Sequence, residues 1–250
     1  MFYNLYYFKD YLVFLGAILI CAILSAIASA RVRSTFKKYN GYRCSSGLTG
    51  VAAADKLLKS RGIYDISLGA VDGELSDHYD PRKGIVNLSK STYSSNSVAA
   101  VAVAAHEIGH VTQKKDGHLF YNIRSALVPV VNFGSYLAMP LVLVGLLLDY
   151  FVAATADSDL GFYVAMIGVI LYGSSFLFTL ITYPVELNAS RRAVKMLREN
   201  YIIADDEVRA AKKVLSAASL TYFVSLLTSL VYFLRFLLYV LALFGKRDRR

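Results

Sequence analysis

The residues best suited to chemistry form an H-E-x-x-H sequence at His106, Glu107 and His110. Small and apolar residues fill positions 98–105 before the motif, which favours a helix. Residues four apart lie on one face of a helix, so both imidazoles can bind one metal ion, and zinc takes such ligands at about 2.0–2.1 Å. In this motif the glutamate acts as general base toward a water that zinc activates. The alternative is a chance match of two ordinary histidines on a helix surface.

A catalytic zinc site needs a third ligand from elsewhere in the chain, because it has three protein ligands and one open position. Glu186 is the candidate, since it follows the second of two long apolar runs. If that run returns to the side of the membrane from which the first run left, Glu186 lies near His110. Ser190 follows four residues later on the same helical face. The alternative for Glu186 is an acid at a membrane boundary with no role in the site.

The composition is that of a membrane protein. The chain of 250 residues is 56% hydrophobic and 18% charged, with a mean hydropathy of +0.46. The net charge of +9 would suit a nucleic acid, but the basic residues flank apolar runs, as in cytoplasmic segments beside membrane spans. We therefore expect a multi-pass protein of a bacterial-type plasma membrane, in contact with the lipid bilayer and not with nucleic acid. The two cysteines form no C-x-x-C and do not indicate a disulfide framework.

The N-terminal segment, residues 1–30, is predicted to be a transmembrane anchor. Its residues 11–30 carry no charge and are long enough to span a bilayer. Ala28-Ser29-Ala30 resembles a signal-peptidase site, but the basic leading segment of a signal peptide is missing. Basic residues follow the run instead and place the N-terminus outside and the next segment in the cytoplasm. They are Arg31, Arg33, Lys37, Lys38 and Arg43.

The rest of the chain divides into four predicted segments. Residues 31–124 form a cytoplasmic catalytic segment with the H-E-x-x-H motif. Residues 125–183 hold two uncharged runs joined by a loop without lysine or arginine, which indicates a transmembrane hairpin. Residues 184–216 are cytoplasmic helices with the third zinc ligand. Residues 217–250 form a C-terminal hydrophobic helix and a basic tail.

Local signals place elements within the catalytic segment. Thr49 is a cap for a helix that runs to about Ser60 and is ended by Gly62. Short strands are expected at 63–71 and 84–88. The helix with the two histidines should begin after serine and asparagine caps at 94–97 and end at Gly117.

The C-terminal third contains two further predicted helix starts and an apolar stretch that the sequence can place in two ways. Pro184 suits the first turn of a helix, and Asp205 with Asp206 should open another. Arg235 interrupts the apolar stretch 214–245, and an arginine near a bilayer centre costs about 2.5–3.5 kcal/mol. Either this stretch lies partly in the membrane interface, or it packs in the helix bundle with Arg235 paired.

In its order of elements and its motifs the chain resembles the YugP-like neutral zinc metallopeptidases, which are membrane-bound and gluzincin-like, and more distantly the HtpX-type proteases. The run S-D-H-Y-D-P-R is the most specific of these motifs. The resemblance is carried by S-D-H-Y-D-P-R at 76–82, V-A-A-H-E-I-G-H at 103–110, A-L-V-P-V at 126–130, P-V-E-L-N-A-S-R-R-A at 184–193 and A-A-S-L-T-Y at 217–222.

This resemblance implies zinc-dependent hydrolysis of peptide bonds by an endopeptidase, with one Zn²⁺ held by His106, His110 and Glu186. Membrane or misfolded proteins are the implied substrates. HtpX-type proteases have an aspartate where this chain has Ser190, so either Ser190, Asn188 or a more distant carboxylate orients a zinc ligand.

The fold class expected from these observations is a mainly α membrane protein, with transmembrane helices and a small cytoplasmic α+β zincin-like catalytic unit. Glu107 is the expected catalytic base. The oxyanion beside zinc needs a further donor, for which His78, Tyr79 and Arg191 are candidates in that order. The alternative for His78 is an exposed histidine at the edge of a strand.

Two other functions would make different demands on the sequence. A membrane scaffold with a structural zinc would need a fourth protein ligand, and His78 or His118 could supply it. A transporter with intramembrane histidines fits poorly, because no histidine or acid lies inside an apolar run.

Overall fold

The computed structural model describes residues 2–152 and 159–244. This part of the chain folds into seven helices, several of them long, and one small sheet. Its helices are α1 Phe2–Asn40, α2 Gly50–Ser60, α3 Lys90–Tyr93, α4 Val98–Lys115, α5 Leu119–Val152, α6 Leu160–Glu199 and α7 Val208–Phe244. Its strands are β1 Ser67–Val71, β2 His78–Asp80 and β3 Ile85–Ser89.

The chain divides into two compact units. The helical unit consists of the described parts of Met1–Ser25, Ile123–Thr182 and Phe223–Arg250. The mixed unit consists of Ala26–Asn122 and Tyr183–Tyr222, and it contains the sheet.

Four helices are long and apolar enough to cross a membrane, judged by length and composition: Leu12–Asn40, Leu119–Leu148, Leu160–Glu199 and Val208–Ala242. The expectation of a mainly helical fold with a small sheet is therefore confirmed, and four of its helices could span a membrane. The last of these helices includes the stretch that the sequence left undecided. It begins at Val208, two residues after Asp206, so a helix opens close to the predicted position, and it continues through Lys212 and Lys213 into the apolar stretch without a break. Glu207 precedes the helix and accepts a hydrogen bond from the main-chain N–H of Ala204 at 2.8 Å, which keeps the aspartates in a turn.

The helical unit is held together by close approaches at glycines and by aromatic contacts. A Cβ atom at Gly145 in α5 would lie 2.5 Å from the main-chain nitrogen of Ala165 in α6, so only glycine permits this spacing. The guanidinium of Arg235 in α7 lies 4.3 Å from the ring centre of Phe14 in α1. Of the two alternatives for Arg235, this contact agrees with packing inside the bundle, because the cation faces an aromatic ring.

The sheet of the mixed unit has the strand order β1-β3-β2, with β1 parallel and β2 antiparallel to β3. Val86 and Leu88 on β3 are fully buried in a core with residues from α2, α4 and α6. Two of the strands were expected at about these positions, but β2 was missed because three residues are too few to show an alternating pattern. As an edge strand, β2 packs against α4 and so lies beside the helix with the two histidines.

The caps predicted for the two helices of the catalytic segment are confirmed. The Thr49 hydroxyl accepts a hydrogen bond from the N–H of Ala52 at 3.3 Å, and the Ser97 hydroxyl accepts one from the N–H of Ala100 at 3.1 Å. Gly117 has a φ angle of +67° just past the end of α4, a conformation that favours glycine.

The prediction that Pro184 begins a helix was wrong. Pro184 lies inside α6, which continues from Leu160 to Glu199. Proline lacks a main-chain N–H and ordinarily ends or kinks a helix in water, but long apolar helices tolerate it. Glu186 and Ser190 therefore share one helix with the apolar run that precedes them.

Candidate metal centre

Helix α4 holds His106 and His110 on one face because they are one turn apart. Its first five residues, 98–102, are completely or almost completely buried, so packing on all sides fixes the helix before the motif begins. The two imidazole rings are 4.8 Å apart between centres and nearly perpendicular, at 85°. Their Nε2 atoms both point to the same carboxylate on α6.

That carboxylate is Glu186, and only 1% of the residue is exposed. Its Oε2 atom lies 3.1 Å from Nε2 of His106 and 3.4 Å from Nε2 of His110. The ligand atoms of the three residues all lie within 4.8 Å of one another, and they form the one group in the described part of the chain with the composition and spacing of a metal site. The structure thus brings together the three residues that the sequence proposed as ligands.

The arrangement fits zinc. In a tetrahedral site with bonds of about 2.0–2.1 Å, neighbouring ligand atoms lie about 3.3 Å apart. The two nitrogen–oxygen distances of 3.1 and 3.4 Å agree with that separation. Two imidazoles and one carboxylate are also a donor set that catalytic zinc uses.

The second nitrogen of each histidine has its own partner. Nδ1 of His106 lies 3.2 Å from the Ser190 hydroxyl, and Nδ1 of His110 lies 2.9 Å from Oε1 of Gln113. A proton on Nδ1 that is donated to these oxygens leaves the lone pair of Nε2 available for a metal. Ser190, the first of the residues expected to orient a zinc ligand, therefore contacts a proposed ligand.

Gln113 is completely buried and joins α4 to α6. Its amide group donates one hydrogen bond to the carbonyl of Val185 and one to Oδ1 of Asn188, both at 2.9 Å. The amide carbonyl must consequently face His110. Sequence reasoning missed Gln113, although its position three residues after His110 on the same helical face was a usable signal. Asn188, an alternative to Ser190 in the sequence, contacts Gln113 rather than a proposed ligand.

Arg192 joins the same two helices one turn further along. Its Nε donates to Asn188 at 2.9 Å, its Nη1 donates to the Thr112 hydroxyl at 3.4 Å, and it forms an ion pair with Asp116. Arg192 therefore ties α4 to α6 beside the proposed ligands. Arg191, the third candidate for oxyanion stabilisation, is exposed.

Gly109 lets α4 and α6 approach closely enough for Glu186 to reach the histidines. A Cβ atom at this position would lie 2.7 Å from the carbonyl oxygen of Ala189 and 3.2 Å from its carbonyl carbon. Any larger residue would have to push the main chain of α6 away. The glycine inside the H-E-I-G-H sequence is thus a packing requirement of the site.

Glu107 lies beside the proposed ligands and is 7% exposed. Burial raises the pKa of its carboxyl group to about 7, and the nearby His106 acts in the opposite direction. Asp77 and His78 also lie close enough to influence this pKa electrostatically. The S-D-H-Y-D-P-R run is therefore near Glu107.

His78 lies at the start of β2, outside the group of three proposed ligands. Its Nδ1 is 2.9 Å from the carbonyl of Ser76, and its Nε2 is 3.2 Å from the amide nitrogen of Asn87 on β3. Both ring nitrogens thus make hydrogen bonds within the sheet region. Tyr79 is partly buried against the main core, and burial raises the pKa of its hydroxyl to about 12, so this hydroxyl stays protonated at neutral pH.

The remaining residues of the S-D-H-Y-D-P-R run fasten β2 to its neighbours. The carboxylate of Asp77 accepts hydrogen bonds from the N–H and hydroxyl of Ser89, at 2.8 and 3.0 Å. Lys114 on α4 donates to the carbonyl of Pro81 at 2.6 Å. This run therefore fixes the edge strand against β3 and α4.

The comparisons with known proteins agree with this geometry. Residues 14–241 match the sequence profile of a family described as "putative neutral zinc metallopeptidase". The chain is also 40% identical over 215 residues to the "putative membrane protease YugP" of Bacillus subtilis (strain 168), which covers 86% of this chain and 91% of the relative. No solved structure matches the chain significantly.

Proposed function

The chain belongs to the family described as putative neutral zinc metallopeptidases, and from this premise we propose that it is a membrane-integrated zinc metalloprotease. The observation that carries the proposal is the convergence of His106, His110 and Glu186 on one point. These residues would hold one Zn²⁺, and Glu107 would be the general base. The metal itself supplies a water whose pKa is lowered to about 7 and polarises the scissile carbonyl.

Glu107 has the position that proton transfer requires. It follows His106 directly and is shielded from bulk water, so its carboxylate can take a proton from a water held beside the ligands. The same carboxyl group then passes the proton to the amine that leaves when the peptide bond breaks. Ser190 and Gln113 keep the two imidazoles oriented during these steps.

The edge strand β2 offers a way to hold the substrate. It pairs with β3 on one side, and no other strand of the described residues pairs with its second side. The main-chain groups on that side can pair with an extended peptide, which is a common mode of peptide recognition. Because β2 packs against α4, such a peptide would lie beside Glu107.

The proposed role of His78 is to donate a hydrogen bond to the oxyanion. It lies on β2, and its charge influences Glu107. To act in this way its ring must exchange the contact with Asn87 or Ser76 for one with the substrate. We retain His78 as a candidate catalytic residue on these grounds.

A structural zinc in a non-hydrolytic scaffold is less well supported. A closed site needs a fourth protein ligand, and the candidates were His78 and His118. Neither belongs to the group of convergent ligands found among the described residues. Nδ1 of His118 instead accepts a hydrogen bond from the N–H of Tyr121 at 3.3 Å.

Basic residues around the apolar helices favour a site at the cytoplasmic face of the cell membrane. The substrates that we propose are peptides or proteins, membrane or misfolded proteins among them. The relative named as a membrane protease supports the membrane location.

Replacing Glu107 by glutamine tests the proposed function. The Glu107→Gln variant should keep its zinc, because Glu107 is not a ligand, but cleavage of casein should fall by about 10²–10⁴-fold through loss of the base. Zinc content is measured by elemental analysis of the purified chain and cleavage by release of soluble peptides. Glu74→Gln, the same change at an exposed glutamate, is the matched control and should leave both unchanged. Undiminished cleavage by Glu107→Gln would refute the assignment of the base.

A further inference from the structure

A basic groove of about 620 Å³ lies between the end of α1 and the start of α7, within the mixed unit. Arg31 and Lys38 line it from α1, and Lys212 and Lys213 line it from α7. Ser34 and Thr35 of α1 also line it. The groove uses none of the residues of the metal centre.

Among the described residues, the four cations of this groove have no acidic partners. No aspartate or glutamate lines the groove, and none of the four forms an ion pair with a described residue. Three lysines and one arginine around one groove repel one another unless an anion lies between them. The groove is therefore suited to a ligand with concentrated negative charge.

The two helices that carry the cations, α1 and α7, are packed against each other through buried side chains. Phe36 and Tyr39 on α1 are buried in one cluster with Val214 on α7 and Ala99 on α4. Residues 31, 35 and 38 share one face of α1, and residues 212, 213 and 216 lie within about one turn of α7. The packed cluster thus fixes the spacing of the cations before a ligand arrives.

The groove lies where both helices change from polar to apolar sequence. Arg31 directly follows the apolar run of α1, and Lys213 directly precedes that of α7. Seven residues from Arg31 to Lys38 rise about 10 Å along a helix. The headgroup layer on each side of a bilayer is about 5–7 Å thick, so the groove is long enough to span that layer.

We propose that this groove binds the phosphate headgroup of an anionic phospholipid. The arginine guanidinium matches two phosphate oxygens, the lysines neutralise the charge, and the Thr35 hydroxyl can donate a further hydrogen bond. The apolar runs that begin at the groove would adjoin the acyl chains. The lipid would hold α1 and α7 together at their cytoplasmic ends.

Native mass spectrometry of the full chain in detergent, titrated with phosphatidylglycerol or phosphatidylcholine, tests the proposal. The double variant Lys38→Gln/Lys212→Gln should retain phosphatidylglycerol at least about tenfold more weakly, the effect of losing one charge-assisted hydrogen bond. Arg33→Gln/Lys37→Gln removes the same charge from exposed residues of α1 outside the groove and should bind nearly as the unmodified chain does. Phosphatidylcholine should bind all three chains equally weakly.

Two results would overturn the proposal. An equal loss of phosphatidylglycerol in both double variants would show diffuse attraction to the surface charge. Displacement of the lipid by inorganic phosphate as effectively as by phosphatidylglycerol would assign the groove to free phosphate. Zinc content and circular dichroism verify the fold of each variant. If the double variant does not fold, Arg31→Gln compared with Arg33→Gln gives the same contrast with one charge each.

Discussion

The residues of the metal centre differ in how readily the sequence predicts them. His106, Glu107 and His110 follow from one short motif, because the spacing of a helix alone brings two imidazoles together. Glu186 lies 76 positions after His110 and required an argument about the direction of two apolar runs. Gln113 was not seen, because a neutral side chain has no motif of its own and its role depends on where Val185 and Asn188 lie in space.

Gln113 is expected to be a positioning residue. Gln113→Leu roughly keeps the volume of the side chain but removes the acceptor for His110 and the side-chain donor to the buried carbonyl of Val185. Loss of such an outer partner typically lowers metal affinity 10–100-fold. We therefore expect the dissociation constant for zinc to rise by about this factor, as measured by competition with a chelating dye.

The control for this change is Gln113→Glu, which restores an acceptor for His110. It should recover part of the zinc affinity while it still weakens the contact with the carbonyl of Val185. Equal zinc affinity of Gln113→Leu and the unmodified chain would contradict the positioning role. The catalytic role of His78 stays a prediction, because its hydrogen bonds to Ser76 and Asn87 are compatible both with a structural role and with a role in turnover.

At the scale of elements, the pairing of α4 with α6 determines the site. Three kinds of contact join these helices: the close approach at Gly109, the hydrogen bonds of Gln113 and the contacts of Arg192. The helix with the two histidines was predicted with its caps, because alanine-rich sequence and serine caps are local signals. The continuity of α6 through Pro184 was not predicted. The preference of proline for the first turn of a helix applies to helices in water, whereas apolar helices also tolerate proline in their interior.

Gly109→Ala tests this pairing. The new Cβ would lie 2.7 Å from the carbonyl oxygen of Ala189, so α6 must move and Glu186 must move with it. We expect both a loss of stability of about 1–3 kcal/mol, typical of overpacking, and weaker zinc binding. Thermal unfolding with and without added zinc measures the two effects.

A suitable control is Gly16→Ala in α1, where a Cβ would meet nothing within 4 Å. It should leave zinc affinity unchanged and should not destabilise the helix. Normal zinc affinity in Gly109→Ala would show that the site tolerates a wider spacing of α4 and α6.

At the scale of the whole molecule, composition and charge predicted a membrane protein, and the four long apolar helices agree with that expectation. The positions of the predicted segments 1–30, 31–124, 125–183, 184–216 and 217–250 relative to a membrane remain predictions. The loop that would face the outside contains Asp157, which lies outside the described residues. The prediction that the site lies on the cytoplasmic side rests on the distribution of basic residues around the apolar runs.

Cysteine labelling tests that orientation. A membrane-impermeant maleimide applied to intact cells should label Asp157→Cys but not Asp206→Cys, and opening the cells should expose the second site as well. The two variants are matched in the residue that they replace and differ in the predicted side. Cys21 and Cys44 are buried and should contribute little labelling. The reverse pattern would place the metal centre outside the cell.

The central claim is that two imidazoles and one carboxylate from separate helices hold a catalytic zinc with an open position. X-ray absorption spectroscopy of the zinc-loaded, unmodified chain tests it most directly, because it counts the ligand atoms around the metal. The account predicts two imidazole nitrogens, at least one carboxylate oxygen and a further oxygen from solvent, all at about 2.0–2.2 Å. A third imidazole in place of the solvent oxygen, or a first shell without carboxylate oxygen, would contradict it.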